Sequence, residues 1–168
     1  QQHERHRQRV DAHAEVDGER LSELEFNLFF MLMVVAGNET TRNAISHGML
    51  ALLEHPDQQQ VLRDDPAALD DGIEEILRWA SPVMQFRRQT TRPVTVGRVD
   101  IGADEAIVMW HISANRDESV FEDPYEFRVR RSPNQHTGHV AFGGGGPHFC
   151  LGANLARAEM KVVFAELL

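Results

Sequence analysis

From Leu21 to Leu53 the chain contains no proline, and apolar residues return at Leu24, Leu28, Met31, Leu32, Val35, Ile45, Met49, Leu52 and Leu53. That spacing follows one face of an α-helix over an unusual length. It predicts one long, largely buried helix around which the rest of the fold is arranged. The middle of the run, AGNETTRN, gathers Gly37, Asn38, Thr40, Thr41 and Asn43, all poor helix formers inside a good pattern. A local bulge or kink is expected there.

His55-Pro56 stops this helix. A short helix to Arg63 and another over Pro66 to Ala80 follow, the second burying Leu69, Ile73, Ile76 and Leu77 and ending at Ser81-Pro82. The runs QFRRQTT, VTVGRVDI and AIVMWHIS are short, β-branched or alternating, as small antiparallel strands require. Residues 114–139 read as an ordered meander, 152–168 as a closing helix, and residues 1 to about 20 as a solvated helix or frayed lead-in. The fold class is mainly α with a minor antiparallel β-sheet, and 168 residues set a single core. Because the last helix runs out without a stop signal, the chain is expected to be one partial domain, 1–168, cut at both ends.

Seventeen basic against 26 acidic residues give a formal charge of −9, which excludes a general nucleic-acid binder relying on phosphate neutralisation. The longest apolar stretch, Phe26 to Gly37, already contains Asn27 and falls short of the roughly 20 residues of a bilayer crossing. Its polar amino terminus offers no signal-peptide pattern, so a cytoplasmic location is expected.

The single cysteine, Cys150, lies in FGGGGPHFCLG, Phe142 to Gly152. Glycines allow close approach of backbone to a flat or bulky ligand, and the following helix directs its first N–H groups back at the thiol. Three other readings stand beside a ligand thiolate. One is an inert cysteine in a glycine loop; another is a nucleophile paired with His148. The third is a zinc-stabilised interaction module using His136, His139, His148 and Cys150, four ligand types within fifteen residues. Elsewhere, Glu75 and Arg78 at i, i+3 could form a simple helix ion pair.

This loop resembles that of the cytochrome P450 haem-thiolate monooxygenases. Three further segments are similar to that family in the same order: AGNETT (36–41) to the acid-alcohol part of its central helix, EILR (75–78) to its Glu-x-x-Arg pair, and SANRDESVFEDPYEFRVRR (113–131) to its meander. The resemblance implies a truncated, carboxy-proximal P450 fold. It implies haem b held by Cys150 as axial thiolate, with Phe142, Gly146 and Gly152 shaping the loop and His148 and Arg88 on the propionates; Arg87 stands beside Arg88 as the alternative.

By the same resemblance, Glu75 and Arg78 join a meander arginine, Arg131 or else Arg130, in a structural network. Glu39 and Thr40 would be catalytic, relaying protons towards dioxygen, and Ala36 and Gly37 would make room for it. Met84, Gln85 and Phe86 would line the substrate pocket. Electrons would come from NAD(P)H through a ferredoxin or flavodoxin and its reductase. Phe142 stands eight residues before Cys150 where the family's common pattern has seven. This longer glycine run, with GANLAR, is similar to the actinobacterial branch that hydroxylates sterol side chains and methyl-branched lipids, so a hydrophobic sterol or branched-lipid substrate is implied.

Overall fold

The computed structural model describes residues 15, 16, 18–131 and 138–168, and the chain divides into two compact units, 1–39 and 40–168. In the first unit, β1 (Glu15–Val16) and β2 (Glu19–Arg20) form an antiparallel hairpin with Gly18 at φ +82°. That differs from the expected helix or frayed lead-in at residues 15–20. Asp17-Gly18 is a hairpin-turn dipeptide, and its glycine takes the positive φ such a turn requires.

Helix α1 runs Glu23–Glu54, its residues 23–39 in the first unit and 40–54 in the second. A reciprocal cap starts it: the Ser22 N–H donates to Glu25 Oε2 at 2.8 Å, and the Glu25 N–H donates to Ser22 Oγ at 3.3 Å. Two expectations are corrected by this helix. It runs as α-helix through Ala36–Asn43, with no widened turn of the kind a bulge makes. Nor is it largely buried, because Leu24, Leu28, Met31, Leu32 and Val35 are all more than half exposed; only Ala44, Gly48, Ala51 and Leu52 are buried. Periodicity marks a face that seeks apolar cover, and among the described residues that cover exists only towards the helix's carboxyl end.

In the second unit α2 (Pro56–Asp64) starts with proline in its first turn, where the missing N–H costs nothing. A 3₁₀ turn, Pro66–Ala68, leads into α3 (Leu69–Ala80) after the Asp65 side chain accepts the Ala67 N–H at 3.1 Å. Ser81, at φ 42°, ends α3.

Strand β3 (Gln85–Gln89) pairs antiparallel with β6 (Ala106–Trp110) in the register Gln85 to Trp110, while β4 (Val94–Val96) and β5 (Val99–Ile101) make a separate hairpin turned by Gly97. The last part of AIVMWHIS is helical rather than extended, forming α4 (His111–Ala114). The meander has no strand among its described residues, and α5 (Ala153–Leu167) closes the chain.

The core sits where α3 and α5 meet the later part of α1. A Cβ on Gly48 would lie 2.5 Å from Ile76 Cγ2 and 2.9 Å from Phe164 Cζ, so glycine is what lets the three helices approach. The meander is pinned to α3 by Phe127, whose ring lies 5.6 Å from Trp79, and to the start of α2 by the same ring, 5.3 Å from His55, and by the Val129 N–H donating to Gln58 Oε1. These contacts give α3 a fixed position from which its polar residues reach the cysteine loop.

Candidate functional site

Helix α3 carries Glu75 and Arg78 inward to full burial. Arg78 holds the Glu75 carboxylate with two bonds, Nε to Oε2 at 2.7 Å and Nη2 to Oε1 at 2.8 Å. Arg131, 3% exposed, joins them with Nε 3.0 Å from Glu75 Oε2. Arg130 goes elsewhere, to Asp65 on the surface. Two guanidinium groups against one carboxylate leave a buried positive excess. Backbone carbonyls absorb it: Asn115, Pro124 and Glu126 accept from Arg78, and Glu122, Asp123 and Glu126 from Arg131. The geometry is that of a buried network tying α3 to the meander, not of a surface ion pair.

Asn115, which sequence reasoning does not single out, links this network to the cysteine loop. Its backbone carbonyl accepts from Arg78, its side-chain Nδ2 donates to Ser81 Oγ at 2.9 Å, and its Oδ1 accepts the Val140 N–H at 2.7 Å. Val140 in turn accepts the Gly143 N–H, and Phe142 accepts the Cys150 N–H at 3.1 Å. The loop between them needs glycine: Gly143, Gly145 and Gly146 stand at φ +92°, +93° and +77°. Cys150 is exposed and lies just before Gly152, the cap of α5, with its own carbonyl accepting the Ala153 N–H at 3.3 Å. Phe149 and Leu151 beside it are exposed apolar residues.

On the sheet, β3 alternation puts Phe86 and Arg88 on one face and Gln85 and Arg87 on the other. Arg88 stacks on Phe86 at 5.4 Å, and His111 lies 5.4 Å from the same ring, where burial and then the Arg88 charge push its pKa down. Met84, Gln85, Phe86 and His148 are all exposed. Ala36, Gly37 and Glu39 are exposed on the first-unit part of α1, and Thr40 is half-buried in the second.

The described members of the zinc grouping, His139, His148 and Cys150, are not gathered into a metal site. His136 lies outside the described residues, and both ring nitrogens of His139 are engaged: Nε2 faces Glu74 Oε2 at 2.9 Å, and Nδ1 accepts the Ala141 N–H at 3.2 Å. No lone pair is left for a metal. Among the described residues no group of three or more His, Cys, Asp or Glu side chains is placed to hold an ion. Cys150 is exposed, and a Cβ added at Gly144, Gly145 or Gly146 would meet nothing within 4 Å, so this loop leaves room for a flat group whose metal would take the sulfur as a ligand.

Sequence and structure comparisons agree with that chemistry. The family model described as Cytochrome P450 matches residues 2–168. A methyl-branched lipid omega-hydroxylase of Mycobacterium tuberculosis (strain ATCC 25618 / H37Rv) is 54% identical over 92% of this chain and 36% of its own length. A steroid C26-monooxygenase of Mycolicibacterium smegmatis (strain ATCC 700084 / mc(2)155) is 47% identical over 90% and 34%. Among solved structures, a Mycobacterium marinum cytochrome P450 in complex with pseudoionone superposes with a TM-score of 0.87 at 47% identity, covering 94% of this chain and 37% of that one. The chain thus spans about a third of the length of the relatives it matches. Among the described residues no helix is long and apolar enough to cross a membrane. The chain belongs to the cytochrome P450 family.

Proposed function

We propose that this chain supplies the haem-thiolate part of a monooxygenase acting on a sterol or methyl-branched lipid. The observation that carries the reading is the cysteine loop: one exposed cysteine just before α5, its backbone N–H donating to the Phe142 carbonyl in a loop of glycines with positive φ. Haem, when bound, supplies the activation of dioxygen, one atom of which enters a C–H bond while the other leaves as water, with two electrons and two protons consumed.

The residues divide the remaining work. Cys150 would hold the haem iron through its sulfur. Gly146 and Gly152 keep side-chain bulk out of the loop so that a flat ligand can approach, and Phe142 shapes it by accepting the Cys150 N–H. Arg88 and His148, both exposed, are the donors assigned to the haem carboxylates; Arg87 stands on the opposite face of β3. Ala36 and Gly37 offer little bulk on α1, and Thr40 and Glu39 carry hydroxyl and carboxylate for proton delivery to the oxygen side. Of Met84, Gln85 and Phe86, assigned to the substrate pocket, Phe86 offers apolar surface on the Arg88 face of β3, Gln85 lies on the opposite face and Met84 just precedes the strand. Electrons are drawn from NAD(P)H through a ferredoxin or flavodoxin and its reductase, in the cytoplasm. The likeness to a lipid hydroxylase and a steroid monooxygenase supports the substrate class.

The test is to supply the haem-loaded monooxygenase with reduced ferredoxin, isotopically heavy dioxygen, and either a sterol or a methyl-branched fatty acid. One heavy oxygen atom in a hydroxylated product is expected from one of them; electron consumption without product from either contradicts the substrate class. Thr40→Ala is expected to keep haem but lower the ratio of product to electrons used, and an unchanged ratio removes Thr40 from proton delivery.

A further inference from the structure

Glu74 and Glu75 are neighbours on α3, about 100° apart around the helix. Glu75 enters the buried arginine network, whereas Glu74 reaches the cysteine loop and α5. Its carboxylate takes Arg157 as a fork, Nε to Oε1 at 2.6 Å and Nη2 to Oε2 at 2.9 Å, and meets His139 Nε2 at 2.9 Å. Because Nδ1 of His139 accepts the Ala141 N–H, Nε2 carries the proton and donates it to Glu74.

Both partners of Glu74 close on one side chain. The Arg157 guanidinium carbon lies 4.4 Å from the centre of the Phe142 ring, and the His139 ring lies 6.2 Å from it. Phe142 is the residue whose carbonyl accepts the Cys150 N–H. Thus one carboxylate on α3, one guanidinium on α5 and one imidazole in the loop fix the backbone on which the sulfur is mounted. Burial raises the Glu74 carboxyl, but the Arg157 and His139 hydrogen bonds outweigh it and bring it down to about 2, so the group is anionic at any ordinary pH. Arg157 is held charged by its bonds to Glu74, and the field of Cys150 adds to that.

We propose that Glu74 and Arg157 are positioning residues that also set the charge Cys150 feels, with Arg157 held against Phe142 as the positive member and Glu74 as its counter-charge. The inference rests on the reading of Cys150 as the haem ligand. It has a sign that simple scaffolding lacks. Without the Glu74 charge, the guanidinium over Phe142 stands uncompensated beside the loop that carries Cys150 and favours the reduced, less positive iron. Without the Arg157 charge, an uncompensated carboxylate favours the oxidised iron.

The experiment is a redox titration of the substrate-free holoenzyme, beside its reduced carbon monoxide spectrum. Glu74→Gln is expected to move the iron midpoint potential up and Arg157→Gln down, with the double variant returning towards the parent value. Arg157→Lys, which keeps the charge without the fork, is expected to stay near the parent, so the Lys and Gln variants of Arg157 decide the matter even where Glu74→Gln does not fold. Shifts in one common direction, or a Lys variant displaced as far as the Gln variant, overturn the inference and leave a scaffolding role alone. A parent holoenzyme lacking the red-shifted thiolate band overturns the haem-thiolate reading itself, and this inference with it.

Discussion

The side-chain oxygen of Asn115 receives the N–H of Val140 at 2.7 Å, and through that bond the buried arginine network of the meander is joined to the loop bearing Cys150. Asn115 is fully buried, and its amide also donates to Ser81 Oγ. Asn115→Ala leaves the Val140 N–H and the Ser81 hydroxyl without this partner, at a cost of about 1–3 kcal/mol for a buried group left unsatisfied. Urea unfolding is expected to show a lowered midpoint of that size. An unchanged midpoint contradicts the linking role.

Arg130 and Arg131 are adjacent in sequence and opposite in consequence. Removing Arg131 leaves Glu75 with one guanidinium and takes a donor from the Glu122, Asp123 and Glu126 carbonyls, so Arg131→Leu is expected to cost about 3–5 kcal/mol, as breaking a buried pair does. The Arg130 pair with Asp65 is exposed, and Arg130→Leu is expected to cost no more than about 1 kcal/mol. Equal losses from the two variants in denaturant unfolding contradict the assignment of Arg131 to the network.

What the sequence made legible was the part governed by local rules. The helices over 56–64 and 69–80 and the strand runs follow from proline placement and period, whereas spacing alone gave Glu75 and Arg78 as a surface pair and the family resemblance implied their buried network. Choosing Arg131 over Arg130 needed the three-dimensional path of the meander, because both are arginines one residue apart. Asn115, Glu74, His139 and Arg157 act through contacts between residues 25 to 83 positions apart, for which no spacing rule exists. The pairing of Glu15–Val16 with Glu19–Arg20 was missed because the charge and weak periodicity of the segment were read as a solvated helix or frayed lead-in. Burial of α1 was over-read because a periodic apolar face reports what a helix needs, not what covers it.

Gly48 is a packing position. Alanine there gains about 0.5–1 kcal/mol in helix propensity, but its methyl would sit 2.5 Å from Ile76 Cγ2. Overpacking of a close core costs about 1–3 kcal/mol, so Gly48→Ala is expected to destabilise on balance. Thermal unfolding checks this, and a stabilised variant contradicts the close approach of α1 to α3.

The pH dependence of the Glu74 bonds has a definite sign. Its carboxyl is lowered from an ordinary 4.5 to about 2, so its contribution to stability is complete above about pH 4.5 and is lost as pH falls towards 2. The parent protein is therefore expected to exceed Glu74→Gln in stability at pH 6 and to converge with it near pH 2, followed by urea unfolding across that range. A gap that is independent of pH contradicts the charged pairing with Arg157 and His139.

Most direct is the absorption spectrum of the reduced, carbon monoxide-bound protein after loading with haem, recorded for the parent and for Cys150→Ala. A strongly red-shifted Soret band in the parent, absent from the variant, is the expected result, because Cys150 is the one cysteine in the chain. The same band surviving in Cys150→Ala contradicts ligation by Cys150, and with it the roles of the glycine loop, of Asn115 as its tether and of the Glu74–Arg157 pair.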